Sequence, residues 1–166
     1  EGYFGLEQVA AERGILVVHP SGTFDEFGNR FWDATDACCR RGTTRADDSS
    51  YLMQVIDAVN RRYPVDPLRV WVVGHSNGGF MSYRLACDHA DRIAAIVSLA
   101  GTGFHDESLC SPSEPVSVLQ VHGTSDSVID YDGGTIFGNP YPGPVDTVTA
   151  WLQHDGCSGG LVETGT

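Results

Sequence analysis

The chain has 166 residues, of which 41% are hydrophobic and 19% charged, the balance of one soluble globular domain with a sizeable core. Ten basic against 22 acidic residues give a net charge of -12, which repels phosphate backbones and argues against nucleic acid as a partner. No apolar run approaches the ~20 residues needed to cross a membrane, so no membrane partner is expected.

In chain order, Leu6, Val9, Ala10 and Arg13 recur at helical spacing and Gly14 is a natural terminator, so a helix is expected over 5–13. Ile15-Leu16-Val17-Val18 follows, a continuous apolar and largely β-branched run of the kind found in strands covered on both faces. From Ser21 to Arg45 no period holds, and the aromatic residues Phe24, Phe27, Phe31 and Trp32 are set among Gly, Asp, Arg and Thr. Two readings stand for this stretch: a surface loop pinned by Trp32 and a disulfide, or one wall of a substrate cleft.

Asp48-Ser49-Ser50 opens a second expected helix, with Leu52, Val55, Ile56 and Val59 on one face and a stop near Tyr63 imposed by Pro64. Strands are expected at 69–73, 93–100 and 116–122, and a helix carrying Phe80, Met81, Tyr83 and Leu85 runs to about Cys87. Residues 132–144 hold four glycines and three prolines and read as a loop. Val145, Val148, Trp151 and Leu152 predict a last helix ended by Gly156. Alternating apolar strands and helices imply an α/β fold, a parallel sheet with helices on both faces, with ligands bound beyond the carboxyl ends of the strands.

The five cysteines, at 38, 39, 87, 110 and 157, include no Cys-x-x-Cys spacing, so neither a metal nor a cofactor is expected and disulfides in an oxidising compartment are. The pairings that suit this order are Cys110 with Cys157, and Cys38 or Cys39 with Cys87.

The chemistry converges on Val70-Trp71-Val72-Val73-Gly74-His75-Ser76-Asn77-Gly78-Gly79, an apolar run ending in Gly-x-Ser-x-Gly. A serine at the apex of a strand–turn–helix junction is exposed as a nucleophile, and Gly74 and Gly78 would let helix and strand approach. Asp126, four residues past the strand that ends at His122, supplies the acid of a Ser…Asp…His order, with Asp130 nearby as a second candidate. The backbone amide of Asn77 lies at a helix start, where amides lack internal partners, and is the candidate oxyanion donor. Alternatively, Ser76 merely caps the helix and Asp126 merely turns the chain.

The segments Gly74 to Met81 and His122 to Asp126, with Tyr131, resemble the secreted feruloyl esterase and polyhydroxybutyrate depolymerase group of α/β-hydrolases, which is carbohydrate esterase family 1-like. His19-Pro20-Ser21-Gly22, Trp32 to Cys39, Asp47-Asp48 and Trp151 to Cys157 carry the resemblance over nearly the whole chain. It implies a secreted serine esterase that forms an acyl-enzyme on Ser76, acting on feruloyl or acetyl esters of plant polysaccharide or on polyhydroxyalkanoate esters. The substrate would be an ester, polymeric substrates included.

Against that group, the loop carrying one oxyanion amide is expected before Glu1 and the catalytic His beyond Thr166. The 166 residues therefore read as a single, partial α/β-hydrolase catalytic domain, incomplete at both ends and nearly inert by itself. Of the six histidines only His154 follows Asp126, and its place near a helix end makes it a weak base candidate; His75 should point away from the nucleophile's partner, and His122 should order the acid loop. A serine peptidase of the prolyl oligopeptidase type and a non-catalytic hydrolase-fold binding protein are the alternatives.

Overall fold

The structure is a computed structural model that describes residues 4–40, 42–162 and 164. Its centre is a three-stranded parallel sheet in the order β3 (Trp71–His75), β4 (Ala95–Leu99), β5 (Ser117–Val121). Trp71 pairs with Ala95 and Ala95 with Ser117, so the three strands run in step and end together. Helix α3 (Asn77–Asp88) joins β3 to β4 and packs on both, while α4 (Pro144–His154) packs on β5.

Alternation along the strands decides which face these helices cover. Gly74, Ile96 and Ser98 are buried beneath α3, with Val72, Val118 and Gln120 partly so. Phe80 and Tyr83 descend from α3 onto this face, fully buried, and Trp151 of α4 closes against Tyr83 with ring centroids 5.9 Å apart. The opposite face carries Trp71, Val73, Leu119 and Val121, and Trp71 and Leu119 are 49% and 56% exposed. Among the described residues, then, the helices that pack on the sheet cover one face rather than both.

Helix α1 (Leu6–Arg13) ends as expected at Gly14, whose φ of 64° places it in the left-handed region and whose amide donates to the Ala10 carbonyl. The run Ile15–Val18 that follows is not a strand: no ladder forms on it, and Ile15, Leu16 and Val18 are exposed. Apolar, β-branched residues favour extended backbone, but a strand exists only where a partner accepts its hydrogen bonds.

Helix α2 (Asp48–Arg62) starts one residue earlier than a cap at Asp48 implies. Asp47 is the N-cap, accepting from the Ser50 amide at 3.1 Å. Asp48 is buried and ties α2 to the preceding loop, its two oxygens accepting from Thr23 Oγ1 at 3.0 Å and the Asp33 amide at 2.7 Å. This acidic pair therefore organises structure rather than simply solvating the surface.

Two stretches that read as loops contain short antiparallel pairs. In the first, β1 (Thr23–Phe24) and β2 (Arg30–Phe31) are joined by a turn in which Asp25 Oδ1 accepts from the amides of Phe27 and Asn29. In the second, β6 (Gly134–Ile136) and β7 (Asn139–Tyr141) close over Phe137 and Gly138, whose φ values of 51° and 85° are those of a two-residue primed turn.

The sulfurs of Cys87 and Cys110 lie at bonding distance with Cα atoms 5.1 Å apart, joining the end of α3 to the segment before β5. Cys38 and Cys39 are also within bonding distance of each other, and Cys157 is free and exposed. Neither expected pairing forms, because α3 delivers Cys87 to Cys110 while Cys157 leaves the end of α4 for solvent.

Candidate active site

Ser76 sits between the last residue of β3 and the first of α3, with φ 52° and ψ -118°. That backbone is costly for a residue with a Cβ, on the order of 1–3 kcal/mol, and persists only where its surroundings over-determine it. They do so through three backbone bonds. The Ser76 amide donates to the Leu99 carbonyl at 2.8 Å, and its carbonyl accepts from Gly79 at 2.8 Å and Phe80 at 3.1 Å. The side chain makes no capping hydrogen bond, which removes the helix-cap explanation for this serine.

Close approach at the junction belongs to Gly74 and Gly79. A Cβ on Gly74 would run into the Gly78 carbonyl, and one on Gly79 into Ser98 Oγ and the Gly101 backbone. Gly78 differs from expectation, since a Cβ there would meet nothing within 4 Å beyond its own helix and chain neighbours. The second residue of α3 faces outward at the turn, and the third is the one that meets β4.

Asn77 opens α3, and its amide has no intrahelical acceptor. Its side chain does something the sequence did not announce: Oδ1 accepts from the Trp32 amide at 2.7 Å and Nδ2 donates to the Trp32 carbonyl at 2.9 Å. One amide thus pairs with both polar groups of a residue 45 positions earlier and fastens the aromatic loop to the serine turn. The Trp32 ring stacks on Tyr51 of α2 at 6.4 Å.

Asp126 lies in the turn beyond β5. Oδ1 accepts from the amides of Val128 at 2.9 Å and Ile129 at 3.1 Å, and Oδ2 stands 3.9 Å from His122 Nε2. These backbone bonds hold the carboxyl below its ordinary range, with smaller electrostatic contributions from the nearby His122 and His75. His75 is therefore near enough to be felt by the acid. Asp130 likewise bonds within its own turn, its Oδ1 accepting from the Asp132 amide at 3.0 Å.

β3 and β5 are two strands apart, so Ser76 and the acid turn leave the same sheet edge about 10 Å from one another. An imidazole hydrogen-bonded at both nitrogens fits such a span. His154 is at the wrong end. It packs on Trp151 at 5.5 Å and lines a small cavity beside Cys87, at the far end of the twelve-residue α3 and hence about 18 Å along it from Ser76. His89 is engaged with Ser49 Oγ at 3.1 Å and His19 with Glu7 at 3.4 Å. No group of three or more metal-ligating side chains occurs among the described residues.

A strained serine between strand and helix of a parallel sheet, and a carboxylate past the end of a later strand on the same edge, are the architecture of an α/β-hydrolase. The comparison with protein families agrees and is more specific. Residues 3–127 match the prolyl oligopeptidase family, and the chain belongs to it.

Among curated relatives, feruloyl esterase B of Piromyces equi is 30% identical over 160 residues, 92% of this chain and 29% of its own length. The bifunctional acetylxylan esterase/xylanase XynS20E of Neocallimastix patriciarum is 30% identical over 155 residues, 90% of this chain and 21% of its own length. A probable feruloyl esterase C of Aspergillus terreus is 28% identical over 158 residues, 95% of this chain and 48% of its own length. The chain thus spans less than half the length of each of these relatives.

Proposed function

We propose that this chain carries the nucleophile and the acid of a serine hydrolase acting on carboxylic esters. The observation that carries the reading is Ser76, held in a strained conformation with its hydroxyl left uncapped at the sheet edge shared with Asp126. Ser76 Oγ attacks the ester carbonyl and forms the acyl–oxygen bond while a histidine base takes its proton. The same proton leaves with the alcohol as the ester C–O bond breaks, and water then releases the acid by the reverse route. The Asn77 amide donates to the oxyanion, a contribution of about 3–4 kcal/mol to the barrier. Asp126 Oδ2 holds the base in the correct tautomer.

In this reading the base is a histidine supplied from outside the 166 residues, since His154 is remote and both ring nitrogens of His122 are engaged. Relatives named for feruloyl and acetylxylan esters support plant polysaccharide esters as substrates, with polyhydroxyalkanoate esters as the other polymer of the same chemistry. The Cys87–Cys110 pair supports secretion into an oxidising compartment.

The test uses the 166-residue chain alongside the longest natural polypeptide that contains it. The longer protein is expected to react at Ser76 with a fluorophosphonate probe and to hydrolyse p-nitrophenyl acetate and methyl ferulate. Ser76→Ala should lower its kcat by roughly 10⁴–10⁶-fold. Absence of labelling at Ser76 in the longer protein would overturn the reading in favour of a binding protein. The family description favours a second reading, a serine peptidase, and cleavage of a prolyl peptide amide in place of the esters would establish it.

A further inference from the structure

The hydrogen bonds behind the acid turn have only one consistent direction. Gln120 Nε2 lies 2.9 Å from the Gly101 carbonyl, an atom that can only accept, so the amide nitrogen faces that way. Its oxygen therefore faces Tyr83, whose hydroxyl donates to it at 2.8 Å. Tyr83 is fully buried, and burial pushes its phenol above the ordinary range, so this donor keeps its proton. The second Nε2 proton of Gln120 points to His122 Nδ1 at 3.2 Å and makes that nitrogen the acceptor. His122 Nε2 then carries the ring proton, which it donates to the Ile129 carbonyl at 2.7 Å.

His122, with its side chain 2% exposed, is thus a neutral ring with both nitrogens engaged. What it grips is the acid turn. Ile129 is held from both sides, its carbonyl by His122 and its amide by Asp126 Oδ1, and this leaves Oδ2 as the oxygen turned toward a base.

We propose that Tyr83 and Gln120 are positioning residues that act through His122 to aim Asp126 Oδ2. The proposal rests on the reading of Asp126 as the acid only for its effect on rate; the chain of bonds stands without it. A core phenol on the nucleophile's own helix thereby sets the acid's orientation, which couples the two catalytic elements through four directed hydrogen bonds.

The test is Tyr83→Phe, which removes one oxygen and keeps the ring in the core, with Gln120→Glu as a second variant that cannot donate to either Gly101 or His122. Nitrogen-15 NMR of the wild-type chain should find His122 as the Nε2–H tautomer alone. Tyr83→Phe should keep that tautomer, which the Gly101 and Ile129 carbonyls still set, and Gln120→Glu should add a proton at Nδ1. Amide exchange at Val128 and Ile129 should accelerate in both variants, an effect that a packing role for Tyr83 would not produce. In the longer polypeptide Tyr83→Phe should lower kcat about tenfold with KM unchanged.

A wild-type His122 protonated at Nδ1, or one whose Nδ1 stays unprotonated in Gln120→Glu, overturns the network. Faster exchange at Val128 and Ile129 with unchanged kcat overturns the positioning role. If the wild type hydrolyses no ester, the proposed function fails by itself, and the exchange rates at Val128 and Ile129 alone decide whether the chain of bonds aims Asp126.

Discussion

The serine turn and the acid turn leave the same edge of one sheet, yet they are held by different physics. At Ser76 the backbone bonds that hold the turn form only through close contact: Gly74 and Gly79 bring strand, helix and β4 so close that a single Cβ has nowhere to go. At Asp126 a carboxylate collects amides from its own turn while a buried histidine grips the next peptide. Steric enforcement tolerates strain, which a nucleophile exposed on a sharp turn requires. Hydrogen-bonded enforcement sets a direction, which an acid that must aim one oxygen requires.

The largest expected effect separates the two regimes at the glycines. Gly74→Ala should destabilise the chain by about 2–4 kcal/mol, because its Cβ meets backbone that cannot move without unmaking the turn. Gly78→Ala, four residues on, should instead raise stability by up to about 1 kcal/mol, since its Cβ meets open space and alanine favours the helix. Chemical denaturation of both variants checks this; equal losses would mean that contact does not shape the turn.

Asn77→Ala comes next. Losing both bonds to the Trp32 peptide should cost about 1–3 kcal/mol and free the aromatic loop, visible as faster exchange of the Trp32 amide, while Ser76 keeps its backbone conformation. Loss of the Ser76 geometry together with the loop would show that the serine turn also depends on the side-chain bonds of Asn77.

The smallest effect on stability is that of charge at the acid turn. The folded-state pKa of Asp126 is lowered, so its carboxylate stabilises the fold above the ordinary value of about 3.9, and that contribution is lost as pH falls through the lowered folded value. Asp126→Asn keeps an accepting oxygen for Val128 and Ile129 but not the charge. Its deficit in melting temperature should therefore be present at pH 7 and shrink as the pH is taken below 4. A deficit independent of pH would mean that the turn uses the side chain only as a neutral acceptor.

How much of this was legible beforehand differs by element. The β3–α3 junction was readable because an apolar run, a Gly-x-Ser-x-Gly pentapeptide and a helical period are all local, although Gly78 was credited with a contact that belongs to Gly79. The β6–β7 hairpin was missed because its glycines outweighed its short runs, and the signal that would have found it is Gly138, placed to take the left-handed half of a two-residue turn. Asn77 as a clamp had no local signal, since its partner is 45 residues away. Ile15–Val18 shows the opposite failure, a run with every local mark of a strand and no ladder.

From sequence alone came the α/β rhythm, the strand-to-helix turn around Ser76 and the order of serine before aspartate, since each depends on neighbours within a few residues. Tertiary structure alone decided that Cys87 pairs with Cys110, that among the described residues the packing helices cover one sheet face, and which tautomer His122 holds. Those outcomes depend on atoms brought together from distant positions. A disulfide forms, a face is covered and a proton is assigned only by what stands opposite.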